Sequence, residues 1–216
     1  MTMDEPLRKA VEAGSVEDIV TAVQRGANVN ARDEGGETAL TTATSITLGS
    51  ERAHACVRCL LSLGARVSEE KPRGGLGTSV HQAAANGYTE ALKELLLADG
   101  NVSLNIFDDI GRTPLICAVD NGRFAETSLL LDAGADVNVH DSETISNTAL
   151  SYAVEDGNLA MVQLLLRHGA DPTIQGWMQL SALDRAHRAA VDGAAPEQRQ
   201  VLELLDAEAK RRNPRR

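Results

Sequence analysis

The strongest constraint on this chain is a pattern that returns in register along its 216 residues. A hydroxyl residue, a small or prolyl residue and an aliphatic one stand together as Thr38-Ala39-Leu40, Thr78-Ser79-Val80, Thr113-Pro114-Leu115, Thr148-Ala149-Leu150 and Ser181-Ala182-Leu183. Glu5-Pro6-Leu7 takes the same place at the start, and the steps between units are 33, 40, 35, 35 and 33 residues. Ser or Thr ahead of an apolar face offers an oxygen to the free N–H groups of a first helical turn, and proline in that turn lacks only a donor that has no partner. In four units a glycine follows nine residues later, at Gly14, Gly87, Gly122 and Gly157, where a left-handed residue ends a helix. A second stop recurs as Gly26-Ala27, Gly64-Ala65, Gly134-Ala135 and Gly169-Ala170, with Asp99-Gly100-Asn101 as a degenerate version. Each unit thus predicts two short antiparallel helices, and such a pair encloses no core until a neighbour stacks on it.

Composition fits that reading. The chain is 43% hydrophobic but only 2% aromatic, and a core of Ala, Leu and Val favours close helix packing over a β-sandwich or barrel. No apolar run approaches a membrane span, and the first residues lack a basic region followed by an apolar one, so the expectation is a soluble protein, cytoplasmic, with a nuclear location left open. Three cysteines, Cys56, Cys59 and Cys117, have no disulfide-framework spacing and suit a reducing compartment.

Three stretches carry a family resemblance: Gly111-Arg112-Thr113-Pro114-Leu115, His81-Gln82-Ala83-Ala84, and the run from Gly157 and Asn158 through Leu164, Leu165 and Leu166 to Gly169-Ala170-Asp171. The chain resembles the ankyrin-repeat family, strongly over 5–175 and weakly over 176–208. The resemblance implies an all-α solenoid of about six helix-turn-helix repeats, 5–37, 38–77, 78–112, 113–147, 148–180 and 181–209, with β-hairpin-like fingers between repeats and a basic tail at 210–216. It implies a non-enzymatic protein-binding role without a cofactor. Departures from the pattern are expected to matter locally. The excess near 45–52 predicts a protruding loop, 68–77 a mobile finger, and 141–147 an altered finger. The first and last units read as polar caps. Glu126 and Thr127 stand where two branched apolar residues are preferred, which should weaken the second helix of the fourth repeat.

Candidate chemistry is sparse. Cys56 and Cys59, with His54 nearby, have no second Cys/His pair to complete a zinc site and read as packing residues. His81 takes the family's histidine position, where the resemblance implies bonding near the Thr78 cap and a bridge to the next repeat. Gly74, Gly75 and Gly77 lack the Lys-Ser/Thr and preceding strand of a phosphate loop. A site built in the groove from carboxylates and His140 remains the enzyme alternative, and nucleic-acid association through the five positive charges of 210–216 is the third.

The resemblance places partner contacts on the fingers and on the exposed ends of the first helices. Carried onto this sequence, the positions are Glu34, Glu37, Asp109, Ile110, Arg112, Ser142 and Glu143 on fingers, and Asn86, Asp120, Asn121, Glu155 and Asp156 at helix ends. Trp177, the single tryptophan, is either a contact or a lid on the last repeat. Acidic residues dominate the set, and the formal charge of the chain is −10, so the groove should draw a basic protein partner; a membrane, a nucleic acid or a small-molecule substrate fits it poorly.

Overall fold

The computed structural model describes residues 4–45, 48–67, 77–141, 147–190 and 195–213. The described residues form twelve α-helices in six pairs: α1 (Glu5–Glu12) and α2 (Val16–Gln24), α3 (Ala39–Ala43) and α4 (Ser50–Ser62), α5 (Ser79–Asn86) and α6 (Thr89–Asp99), α7 (Pro114–Asp120) and α8 (Phe124–Asp132), α9 (Ala149–Glu155) and α10 (Leu159–Arg167), α11 (Ala182–Ala189) and α12 (Pro196–Arg212). The first helices of successive pairs stack into one layer, and the second helices pack as an outer layer. The expected mobile finger at 68–77 lies almost wholly outside the described residues, as do Ser142 and Glu143 in the finger at 141–147.

Local grammar explains the helix ends. The hydroxyls of Thr38, Thr113, Thr148 and Ser181 accept from the backbone N–H three residues on, at 3.3, 3.3, 3.2 and 3.1 Å. Each such cap stabilises its helix by about 1 kcal/mol. In the unit at 108–140, Gly122 and Gly134 take φ of +64° and +96°, a region where a side chain is strained. The first repeat differs: its helix starts one residue early, with Asp4 at the N-cap making no side-chain cap bond, and Glu5 pairs instead with Arg8 and Lys9.

One continuous core runs the length of the stack, from Leu7 in α1 to Leu205 in α12. Three fingers among the described residues are tight turns, closed by Asp33 N–H to Glu37 O at 2.9 Å, Asp108 N–H to Arg112 O at 2.8 Å and Gly176 N–H to Leu180 O at 3.1 Å, and single antiparallel bridges join Arg32 to Thr38 and Gln175 to Ser181. Asparagines staple each finger base to the next. Asn30 donates to Gly64 O and accepts from Arg66 N–H, and Asn138 does the same with Gly169 O and Asp171 N–H.

Two sequence expectations change. The excess of the second repeat does not project as a free loop: α4 takes up part of it as an extra turn, Leu48 is buried, and the Tyr88 hydroxyl donates to Ser45 O at 3.1 Å while accepting from Gly49 N–H at 3.2 Å. Nor are Glu126 and Thr127 bare gaps in the core. Both are buried; the Glu126 carboxylate accepts from the Thr89 hydroxyl of the preceding repeat, and Thr127 Oγ1 donates to Arg123 O at 2.8 Å. Hydrogen bonds stand there in place of aliphatic packing.

Candidate protein-binding face

The histidine of the third repeat organises the finger that follows it. His81 is 1% exposed, and its Nε2 lies 3.0 Å from Ile106 O and 3.1 Å from Arg112 O. A ring nitrogen facing two carbonyls carries the proton, so Nδ1 is left to accept from the Thr78 N–H at 3.1 Å and its hydroxyl at 2.9 Å. Burial holds the ring neutral and pushes its pKa down to about 4, against a smaller opposing pull from Asp108. The imidazole thus ties the α5 cap to both sides of the 108–112 finger, as its sequence position implied.

That finger carries three of the expected contact residues. Asp109 and Ile110 are exposed at its tip, Ile110 to 46%. Arg112 folds back, with Nε 3.0 Å from Asp108 Oδ2 and Nη1 3.4 Å from Asp120 Oδ2 at the end of α7. Asp120 is therefore already paired. The neighbouring Cys117 is buried beside this guanidinium, and burial pushes its thiol up to about 12, which keeps it protonated and unreactive at neutral pH.

A second arginine repeats the arrangement two units on. Arg185 Nη1 pairs with Glu155 at the end of α9, and Nη2 donates to Asn147 Oδ1 at 2.7 Å and to Trp177 O at 3.3 Å. Trp177 N–H donates in turn to Asn147 Oδ1 at 3.1 Å. Trp177 is thus held by its backbone, while its side chain stays half-exposed.

The remaining expected positions divide. Asn86 and Asn121 direct their amides at Thr44 O and Cys117 O, both at 2.9 Å. Glu34 is exposed at the tip of the 33–37 turn; Glu37 is half-buried, and burial, then the charge of Asp33, raises its pKa. Asp156 is exposed and its carboxylate makes no hydrogen bond or ion pair with the described residues. Partial burial and the charge of nearby Asp120 raise its pKa, so it gains from a cation brought alongside. Among the described residues His140 pairs with no carboxylate and no group of three His, Cys, Asp or Glu side chains is placed to hold a metal. Cys56 is buried and Cys59 half-buried on α4.

Sequence reasoning missed Arg185 and Asn147. A signal was there: Arg185 and Tyr152 stand four residues after their repeat starts, in register with Gln82 and Cys117, so one column of inner-helix positions runs along this face. The tail also reads differently. Lys210, Arg211 and Arg212 form the last turn of α12; Arg211 and Arg212 clasp Glu208, and Arg212 Nη2 donates to Gly169 O at 2.8 Å. The expected positive tail is partly spent on the molecule itself.

The ankyrin repeats family profile (three copies) matches residues 7–108 and 80–176. The chain belongs to the ankyrin-repeat family. Over 117 residues it is 37% identical to ankyrin repeat and SOCS box protein 16 of Mus musculus, a match that takes in 53% of this chain and 25% of that protein. The chain therefore spans about a quarter of that relative's length. The ankyrin repeat domain of Bcl-3, a member of the IkappaB protein family, superposes with a TM-score of 0.70 at 25% identity, covering 95% of this chain and 100% of that domain. Ankyrin repeats are protein-interaction modules, and the fold is typically a scaffold without catalytic machinery. Among the described residues no helix is long and apolar enough to cross a membrane.

Proposed function

We propose that this chain is a non-enzymatic module that captures a basic protein surface or segment on the face formed by its fingers and inner-helix ends. It acts by occupying or masking that partner, as an inhibitor, an immunity-type protein or an adaptor. One observation supports the reading: after Arg112 and Arg185 have taken their internal partners, the carboxylates of Glu34 and Asp156 remain exposed on this face and pair with none of the described residues. A surplus of one sign on a concave surface steers oppositely charged partners and raises their association rate. Charges of this kind leave the fold intact when reversed, because they make no internal bond.

The test is affinity capture from native lysate on immobilised chain, comparing the unaltered protein with a Glu34→Lys, Asp156→Lys double variant and with Glu203→Lys on α12 as an off-face control. The expected result is a salt-sensitive partner retained by the unaltered chain and the control and depleted about tenfold by the double variant. Equal retention on all three proteins removes the acidic-face reading.

A further inference from the structure

The last finger spends conformational energy on exposing apolar surface. Met178 and Gln179, neither of them glycine, sit consecutively at φ of +62° and +58°, a conformation that costs an ordinary residue on the order of 1 kcal/mol or more. The turn is held there from three sides, by Gly176 N–H to Leu180 O, by Trp177 N–H to Asn147 Oδ1 and by Arg185 to Trp177 O. The outcome is that Trp177 and Met178 face solvent, 47% and 64% exposed. Neither side chain belongs to the core cluster, so inside the molecule the arrangement rests on backbone-directed hydrogen bonds and not on apolar packing.

The same guanidinium that holds Trp177 O holds Glu155, the residue before Asp156. One largely covered arginine therefore ties the backbone of the apolar ledge to the helix end that carries Asp156. By contrast, Glu34 on the first described finger has no large exposed apolar side chain on its turn, and Leu97, Val102 and Phe124 are exposed on outer helices and their connections. Ile110 is exposed on the 108–112 finger as well, but among the described residues an unpaired carboxylate and two exposed apolar side chains fall together at the C-terminal third of the face.

Resting on the proposed function, we infer that the partner is anchored by a protein segment in which a lysine or arginine stands beside an apolar residue: Asp156 takes the cation and the Trp177–Met178 ledge takes the apolar side chain. Tryptophan supplies a large rigid contact at little entropic cost, which is why it recurs at the energetic centres of interfaces. A purely basic surface meets only half of this site, and a purely apolar one leaves Asp156 desolvated and unpaired.

Three fluorescein-labelled peptides of one length test the inference on the full chain by anisotropy: one with Arg-Leu pairs spaced by Gly-Ser, one with the leucines replaced by serine, and one with the arginines replaced by glutamate. The Arg-Leu peptide is expected to bind about tenfold more tightly than either of the others. Asp156→Asn and Trp177→Ala are each expected to weaken it at least about fivefold, with Glu34→Lys neutral. Unchanged thermal melts confirm that the variants fold, since neither altered side chain supports the core. If Glu34→Lys weakens binding while Asp156→Asn and Trp177→Ala do not, the anchor lies elsewhere and only the acidic-face reading survives. Equal binding of the Arg-Leu and Arg-Ser peptides overturns the apolar half of the site. If the arginine peptides bind no better than the glutamate peptide, the inference and the acidic-face reading fall together.

Discussion

Replacing His81 with glutamine tests whether a single neutral imidazole locks the 108–112 finger onto the preceding repeat. The ring faces Ile106 O and Arg112 O through Nε2 and Thr78 N–H and its hydroxyl through Nδ1. Glutamine cannot span both ends in this geometry, and each group left unsatisfied in a site this buried costs about 1 kcal/mol or more, which sets the loss at neutral pH near ~3 kcal/mol. Acid adds a second signature. The folded ring titrates at about 4, whereas histidine in an unfolded chain titrates near ~6.5. The unfolded chain therefore binds more protons between those values, so the stabilisation is full above the unfolded pKa and is lost as pH falls toward the folded one. Between about pH 7 and about pH 4.5 the unaltered chain should lose about 2 kcal/mol that the His81→Gln protein does not. Urea titrations of both proteins at the two pH values measure the difference directly, and taking the difference cancels the carboxylates common to both. If the gap in stability is the same at both pH values, the ring is not held as a neutral donor and the bridging account is wrong.

Two further perturbations probe the departures from the repeat pattern. Tyr88→Phe removes the hydroxyl that joins Ser45 O and Gly49 N–H, and should cost about 1–2 kcal/mol in urea unfolding while leaving the far-ultraviolet circular dichroism unchanged; an unaltered midpoint means that Tyr88 does not hold the insertion. Thr89→Val and Glu126→Gln should couple by about 1 kcal/mol in a double-mutant cycle, because the hydroxyl of one donates to the carboxylate of the other across α6 and α8; additive losses show that the pair is not an interaction.

What was legible from residues alone was whatever is decided within a few positions. The caps at Thr113, Thr148 and Ser181 and the stops at Gly122 and Gly134 depend on backbone groups three or four residues away, so sequence spacing contains them. Their recurrence then fixed the stack, because units that cannot close a core alone must share one. The His81 bridge came from family resemblance and not from spacing: its acceptors lie 25 and 31 residues on. Glu126 was misread as a flaw because its partner, Thr89, sits 37 positions back in the previous repeat. Partner residues fared least evenly. Asp120, Glu155, Asn86 and Asn121 stand at the ends of the first helices, and all four side chains are engaged inside the molecule.

That division has a physical logic. An arginine reaching from one repeat element to a carboxylate at a helix end fixes the finger beside it, as Arg112 does for the 108–112 turn and Arg185 for the 176–180 turn. Both guanidiniums are largely covered, so each pair keeps more of its attraction than an open surface pair retains in salt. The charge so used is unavailable to a partner, because taking it up first requires breaking a bond that positions the site. On the proposed reading, recognition falls to side chains that can be altered without touching the scaffold: Glu34, Asp156, and the exposed apolar groups of Ile110, Trp177 and Met178. A repeat protein divided in this way can change what it binds by exchanging a few unengaged residues, while the caps, glycines and internally paired arginines that hold the stack stay as they are.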